Sequence, residues 1–190
     1  MIQTFRELYN SGKEKLQENQ KEDADFDALQ LLIGAADFKQ ADFFLNAGET
    51  VPQNICDRYE EMLSQRISGR PLQYILGEWD FYKSTFFVGE GVLIPRPETE
   101  QLVEICVKEI RKNSYKTVYD LCAGSGCIGI SIAKECPDVQ VVMFELFDNA
   151  LKYTQKNLEA HKLKNAKLVK FDVLNDDVSL LQNVDLLVSN

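Results

Sequence analysis

The stretch Asp120-Leu121-Cys122-Ala123-Gly124-Ser125-Gly126-Cys127-Ile128-Gly129 decides the fold. Before it, Thr117–Leu121 reads as a strand. After it, Cys127–Glu135 reads as a helix ended by Pro137. Gly124, Gly126 and Gly129 fall in a G-x-G-x-x-G pattern at the turn between them. Glycines there permit a tight turn and close approach of backbone to a ligand. Glu145 ends the next strand, Val139–Glu145, where its carboxylate can accept from ribose hydroxyls.

Outward from that loop the chain alternates strand and helix. Asn149–His161 reads as a helix, with strands at Lys167–Phe171 and Asp185–Ser189. Nearly continuous apolar strands separated by helices predict a parallel sheet covered on both faces, a Rossmann-like α/β domain. Its last strand runs into the end of the given sequence, so only the first four strands of the sheet are expected here. Asp120 at the mouth of the loop discriminates between cofactors. Its charge would repel the pyrophosphate of a nicotinamide or flavin dinucleotide but favours the ammonium and sulfonium of S-adenosylmethionine (SAM). Asp172, just past the third strand, is placed to accept from an adenine amino group, or to cap a turn.

Upstream, residues 1–75 read as a small helical bundle. Phe5, Leu8 and Tyr9 share helical spacing, as do Phe26, Leu29, Leu32, Ile33 and Ala36. A segment Ala41–Ala47 ends at Gly48. Thr50 with Gln53 predicts a capping box for the helix that carries Ile55, Tyr59, Met62, Leu63 and Ile67. Residues 76–98 read as a β-hairpin linker. Phe81 to Val88 and Val92-Leu93-Ile94 are its strands, Gly89-Glu90-Gly91 its turn, and Pro95-Arg96-Pro97 its end. Thr99 then caps a helix bearing Leu102, Val103, Cys106 and Ile110. Residues 99–190 make the third segment.

Composition narrows the function classes. The 190 residues carry a net charge of −9 and no lysine- or arginine-rich block, so direct nucleic-acid binding is not expected. Residues 1–75 alone hold eight basic and thirteen acidic side chains. No apolar run spans a membrane and no signal peptide is evident, which predicts a cytoplasmic protein. Five cysteines without a CxxC pair and a single histidine, His161, read as reduced thiols with no metal site.

Three stretches together carry a resemblance. Arg70-Pro71-Leu72-Gln73-Tyr74-Ile75-Leu76-Gly77-Glu78 and Val92-Leu93-Ile94-Pro95-Arg96-Pro97-Glu98-Thr99-Glu100 resemble signatures of the HemK/PrmC family of protein-glutamine N5-methyltransferases. Val184-Asp185-Leu186-Leu187-Val188-Ser189-Asn190 is similar to the lead-in to that family's Asn-Pro-Pro-Tyr motif. The resemblance implies SAM as cofactor and the glutamine of a Gly-Gly-Gln loop in a peptide chain release factor as substrate. It implies that Asp120, Ala123, Gly124 and Gly126 line the methionine end of SAM, that Glu145 holds the ribose, and that Asp172 lies near the adenine. Asn190 would bind the substrate amide beside the cofactor, as the catalytic residue. Arg96, Pro97 and Glu98 would face the cofactor or substrate side of the cleft.

Two positions depart from the family pattern. Cys122 stands where a glycine is usual, and Phe147 where a small polar residue follows the ribose acid. With nothing after Asn190, the 190-residue chain is expected to be inactive alone and to expose Leu186–Val188 as a sheet edge open to dimerisation. Methylation of a ribosomal-protein glutamine or of adenine N6, and a non-catalytic protein-binding module, are the alternatives.

Overall fold

The computed structural model describes residues 3–177, 179 and 181–190. Their contacts divide the chain into two units, Met1–Leu76 and Gly77–Asn190.

The first unit holds five helices among the described residues: α1 (Phe5–Glu18), α2 (Ala24–Ala36), α3 (Gln40–Asn46), α4 (Gln53–Ile67) and α5 (Leu72–Leu76). Leu8, Leu16, Leu31, Leu32, Tyr59 and Leu63 form its interior. Burying each of the leucines contributes roughly 1.5–3 kcal/mol. The Tyr59 hydroxyl donates to the Ala28 carbonyl at 3.2 Å. Beside it, the Arg66 guanidinium meets the buried Asp27 carboxylate at 2.6 Å.

Two details differ from the sequence reading. Phe26 lies 48% exposed, because α2 turns Ala24, Ala28, Leu31 and Leu32 inward instead. The capping box falls at Thr4 and Glu7, not at Thr50 and Gln53. Thr50 is bridged to Thr4, and Pro52, which has no N–H to offer, occupies the N-cap of α4.

The second unit opens with an antiparallel hairpin of β1 (Glu78–Phe81) and β2 (Ser84–Phe87). Its turn is Tyr82-Lys83, several residues before the glycine pair that the sequence suggested. Tyr82 takes the left-handed conformation, φ +56°, and its N–H is held by the Glu100 carboxylate at 2.9 Å. Gly89-Glu90-Gly91 makes a separate turn, closed from Val92 N–H to Gly89 carbonyl at 3.2 Å, and Val92-Leu93-Ile94 is not a strand. With Pro95 and Pro97 supplying no donors, that segment cannot extend a ladder. Phe81 and Phe86 are buried in the core of this unit.

Four strands follow: β3 (Thr117–Leu121), β4 (Gln140–Glu145), β5 (Ala166–Lys170) and β6 (Leu186–Ser189). They form one sheet in the order β5-β4-β3-β6, every pair parallel. Helices α6 (Glu100–Asn113), α7 (Cys127–Glu135) and α8 (Asp148–His161) connect or flank them. On one face Val118, Val141, Met143 and Val188 pack with Val103, Ile110, Ile130 and Ile132 of the helices. On the other, Tyr119, Val142, Phe144 and Phe171 pack against Leu181 and Val184. The sheet is thus apolar on both faces, as its sequence pattern requires. β6 is an edge strand of the described sheet, but only Leu187 of its apolar residues is half exposed. Leu186–Val188 thus lies at the sheet edge that the sequence suggested, with Leu187 half exposed and Val188 buried. No helix of the described residues is long and apolar enough to cross a membrane.

Candidate functional site

The strand order sets where a ligand would sit. From β3 the chain moves to β4 and β5 on one side, and then to β6 on the other. In open parallel sheets this reversal leaves a crevice beyond the carboxyl ends of the strands. Asp120 and the glycine loop leave β3 there, Glu145 ends β4, and Asn190 follows β6.

The loop is built by left-handed residues. Cys122, Gly124 and Gly126 have φ of +58°, +59° and +78°. At Gly126 a side chain is barred twice over. The φ is unfavourable, and a Cβ would stand 2.7 Å from Cγ2 of Thr154. Cys122 is exposed and carries a side chain in this conformation, which explains physically why a glycine suits its position. The Ala123 N–H donates to the Phe144 carbonyl at 3.0 Å, and the Gly126 N–H returns to Ala123 at 2.7 Å.

Two acids hold this loop from beneath. Glu145 is buried. One of its oxygens accepts from Gly124 N–H at 2.8 Å, and the other from Leu146 and Phe147 N–H at 2.8 and 3.0 Å. Asp120 is 1% exposed. Its Oδ2 accepts from Gly129 N–H, at the start of α7, at 2.9 Å, while Oδ1 is buried with no partner. Desolvation raises its pKa to about 7. The Gly129 hydrogen bond opposes the rise and the nearby Glu145 charge adds to it. A buried carboxylate oxygen with no partner next to a glycine loop is chemically able to accept from a cation or a donor.

Sequence reasoning missed the two residues that support the loop from α8. Thr154 and Asn157 are fully buried. The Thr154 hydroxyl lies 2.6 Å from the Gly124 carbonyl and the Asn157 amide donates to the Ser125 carbonyl at 2.9 Å. The signal was there: both fall at helical spacing from Ala150, as polar residues on an apolar stripe.

The remaining candidates divide. Asn190 is exposed, and its amide nitrogen donates to the Thr99 hydroxyl at 2.7 Å, so the structure joins it to the Arg96-Pro97-Glu98 turn. Thr99 is the N-cap residue of α6, as the sequence suggested, but its side chain makes no capping hydrogen bond. Arg96 and Glu98 are both exposed, and neither is in an ion pair among the described residues. Asp172 is committed locally. Its carboxylate accepts from Asn175 Nδ2 at 2.8 Å and from the N–H groups of Leu174 and Asn175, and these bonds, the Asn175 side chain first, lower its pKa. Phe147 is 68% exposed at the start of α8. Among the described residues no cluster of His, Cys, Asp or Glu is placed to hold a metal. Open grooves of about 370 Å³, between Tyr82 and Arg111, and about 240 Å³, around Ser114 to Val139, contain no residue of the loop.

A parallel sheet in this order, with a glycine loop over two buried acids, defines a Rossmann-like methyltransferase domain, and residues 98–190 match the methyltransferase small domain family. Residues 7–77 match the PrmC N-terminal domain, and the chain belongs to the HemK/PrmC family. It is 34% identical over 163 residues to the release factor glutamine methyltransferase of Clostridium botulinum, covering 85% of this chain and 58% of that protein. To the protein of the same name from Streptomyces coelicolor it is 38% identical over 144 residues, covering 74% and 50%. The chain thus spans about half the length of these curated relatives. The crystal structure of precorrin-6y C5,15-methyltransferase from Geobacter metallireducens GS-15 aligns with 55% of this chain and 53% of its own, at 16% identity and a TM-score of 0.44.

Proposed function

We propose that residues 77–190 bind SAM over the glycine loop, and that the protein transfers a methyl group to the side-chain amide of a release-factor glutamine. The observation that carries the cofactor reading is the orphaned, buried Oδ1 of Asp120 beneath the loop. A dinucleotide phosphate would meet repulsion there, whereas an ammonium would satisfy the oxygen and restore its charge. Glu145 holds Gly124 through one oxygen whose second lone pair is left for a ribose hydroxyl. Gly124, Gly126 and Ala123 form the backbone wall of the same site. SAM, when bound, supplies an electrophilic methyl group.

The chain's own residues supply position. An amide nitrogen is a weak nucleophile because its lone pair is shared with the carbonyl. A carbonyl oxygen accepting its N–H both orients it and favours the positive charge that develops as the new N–C bond forms and the C–S bond breaks, the proton leaving afterwards. Asn190 offers such an oxygen. With its nitrogen held by Thr99, its amide is fixed at one end and free at the acceptor end. Arg96 and Glu98, unpaired and on the same turn as Thr99, are placed to meet a protein substrate. In this reading Asp172 orders the turn after β5, and its contact with adenine is secondary.

Calorimetric titration with SAM, with NADH as control, tests the cofactor. SAM binding without NADH binding supports it, and NADH binding or silence with both overturns it. Titration of a release factor carrying a Gly-Gly-Gln loop into the SAM-saturated chain tests the substrate. Salt-sensitive binding of DNA in place of the release factor would favour adenine methylation instead.

A further inference from the structure

The most elaborate polar contact in the second unit lies behind the loop, at Asn157. Val88 N–H bonds back to Gly77, so the N–H and carbonyl of Phe87, the last residue of β2, face the opposite way, toward α8. Asn157 takes both. Its Oδ1 accepts from Phe87 N–H at 2.7 Å and its Nδ2 donates to the Phe87 carbonyl at 3.1 Å. The side-chain amide thereby acts as one residue of a β-ladder partner. The second hydrogen of the same Nδ2 goes to the Ser125 carbonyl in the glycine loop at 2.9 Å. Asn157 is fully buried with every donor used, so none of these bonds can be exchanged for water.

The packing beside this contact has the same logic. Val88 and Val92 pack on Ala150 of α8, with Tyr153 alongside. A Cβ at Gly89 would collide with the Tyr153 hydroxyl, and one at Gly91 with Asn149. The backbone between the hairpin and the Arg96 turn therefore lies directly on α8.

We propose that Asn157 is a positioning residue that locks the cofactor loop to the hairpin, so that occupancy of the loop is felt at Phe87 and Val88. This rests on the reading of the loop as a SAM site, but the mechanical link can be tested without SAM. Amide hydrogen exchange on the ligand-free chain is compared with that of Asn157→Asp. The variant keeps the volume and the acceptor but loses both donors. The expected result is exchange about tenfold faster at Ala123 and Gly126 and, together with them, at Phe87 and Val88, while Val118 and Met143 in the sheet are unchanged. A merely structural role would speed all of these amides equally, and a loop-only effect would leave the hairpin unmoved; either overturns the proposal.

Should the variant not fold, the wild-type chain decides. SAM should slow exchange at Phe87 and Val88 as well as in the loop, and protection confined to the loop overturns the link. Absence of SAM binding by the wild-type chain would refute the cofactor reading; where Asn157→Asp folds, the ligand-free comparison still judges Asn157, and where it does not, the proposal falls with that reading.

Discussion

The carboxyl ends of β3 and β4 and the carboxyl end of β5 look alike in sequence, since each of these strands has an acid at or just past its end. In the structure they are different objects. Asp120 and Glu145 are buried under a left-handed loop, and one of them retains an oxygen without a partner. Asp172 is spent on its own turn, with Asn175 and Leu174 as donors. A strand-end acid becomes a receptor when the fold withholds water and leaves an acceptor unmet. It becomes a turn residue when its own backbone can satisfy it.

The largest effect should come from Gly126→Ala, which forces a side chain into φ +78° and against Thr154. A loss of about 2–3 kcal/mol of stability in urea denaturation is expected, together with loss of SAM binding. A variant as stable as wild type would remove the claim that the loop geometry is fixed. Glu145→Gln comes next. It replaces a carboxylate that accepts three N–H groups by an amide that can accept on one oxygen only. SAM affinity in calorimetry should fall about tenfold to a hundredfold. Cys122→Gly should raise stability by about 0.5–1 kcal/mol by relieving φ +58°. Asp172→Ala should be the mildest for the cofactor, with SAM affinity changed by about threefold or less. A hundredfold loss there would erase the contrast between the two sheet regions and return Asp172 to the adenine contact.

How much of this was legible in the chain follows from where the information resides. β3, α7 and the alternation behind them could be read because a buried parallel strand is a nearly continuous apolar run and the glycine loop after β3 is explicit in the chain. The hairpin turn was misplaced because Gly89 and Gly91 look like the natural turn. The glycines serve close packing on α8, while Tyr82 accepts a left-handed φ with its N–H held by Glu100. Thr154 and Asn157 were missed because a polar residue on an apolar stripe signals a buried hydrogen bond but not its partner, and the loop they support is brought there by the fold. The roles of Thr99 and Asp172 depended likewise on partners brought by the fold, Asn190 in one case and Asn175 in the other.

The central claim is that Asp120 is a buried carboxyl waiting for a cation. Its pKa, raised to about 7 from an ordinary 3.8, has a definite sign in stability. The folded state holds this proton to higher pH than the unfolded chain. Its contribution is therefore fully present below about pH 4, is lost as pH rises toward 7, and is flat above. Asp120→Asn, which retains an acceptor for Gly129, removes that loss. The decisive measurement is urea denaturation and SAM calorimetry on wild type and Asp120→Asn at pH 6 and pH 8. The variant should be the more stable protein at pH 8, with a smaller advantage at pH 6. Wild type should bind SAM more tightly as the pH rises, and the variant should bind it weakly at both. A variant that binds SAM as well as wild type at pH 8, or that is the less stable there, would contradict the account.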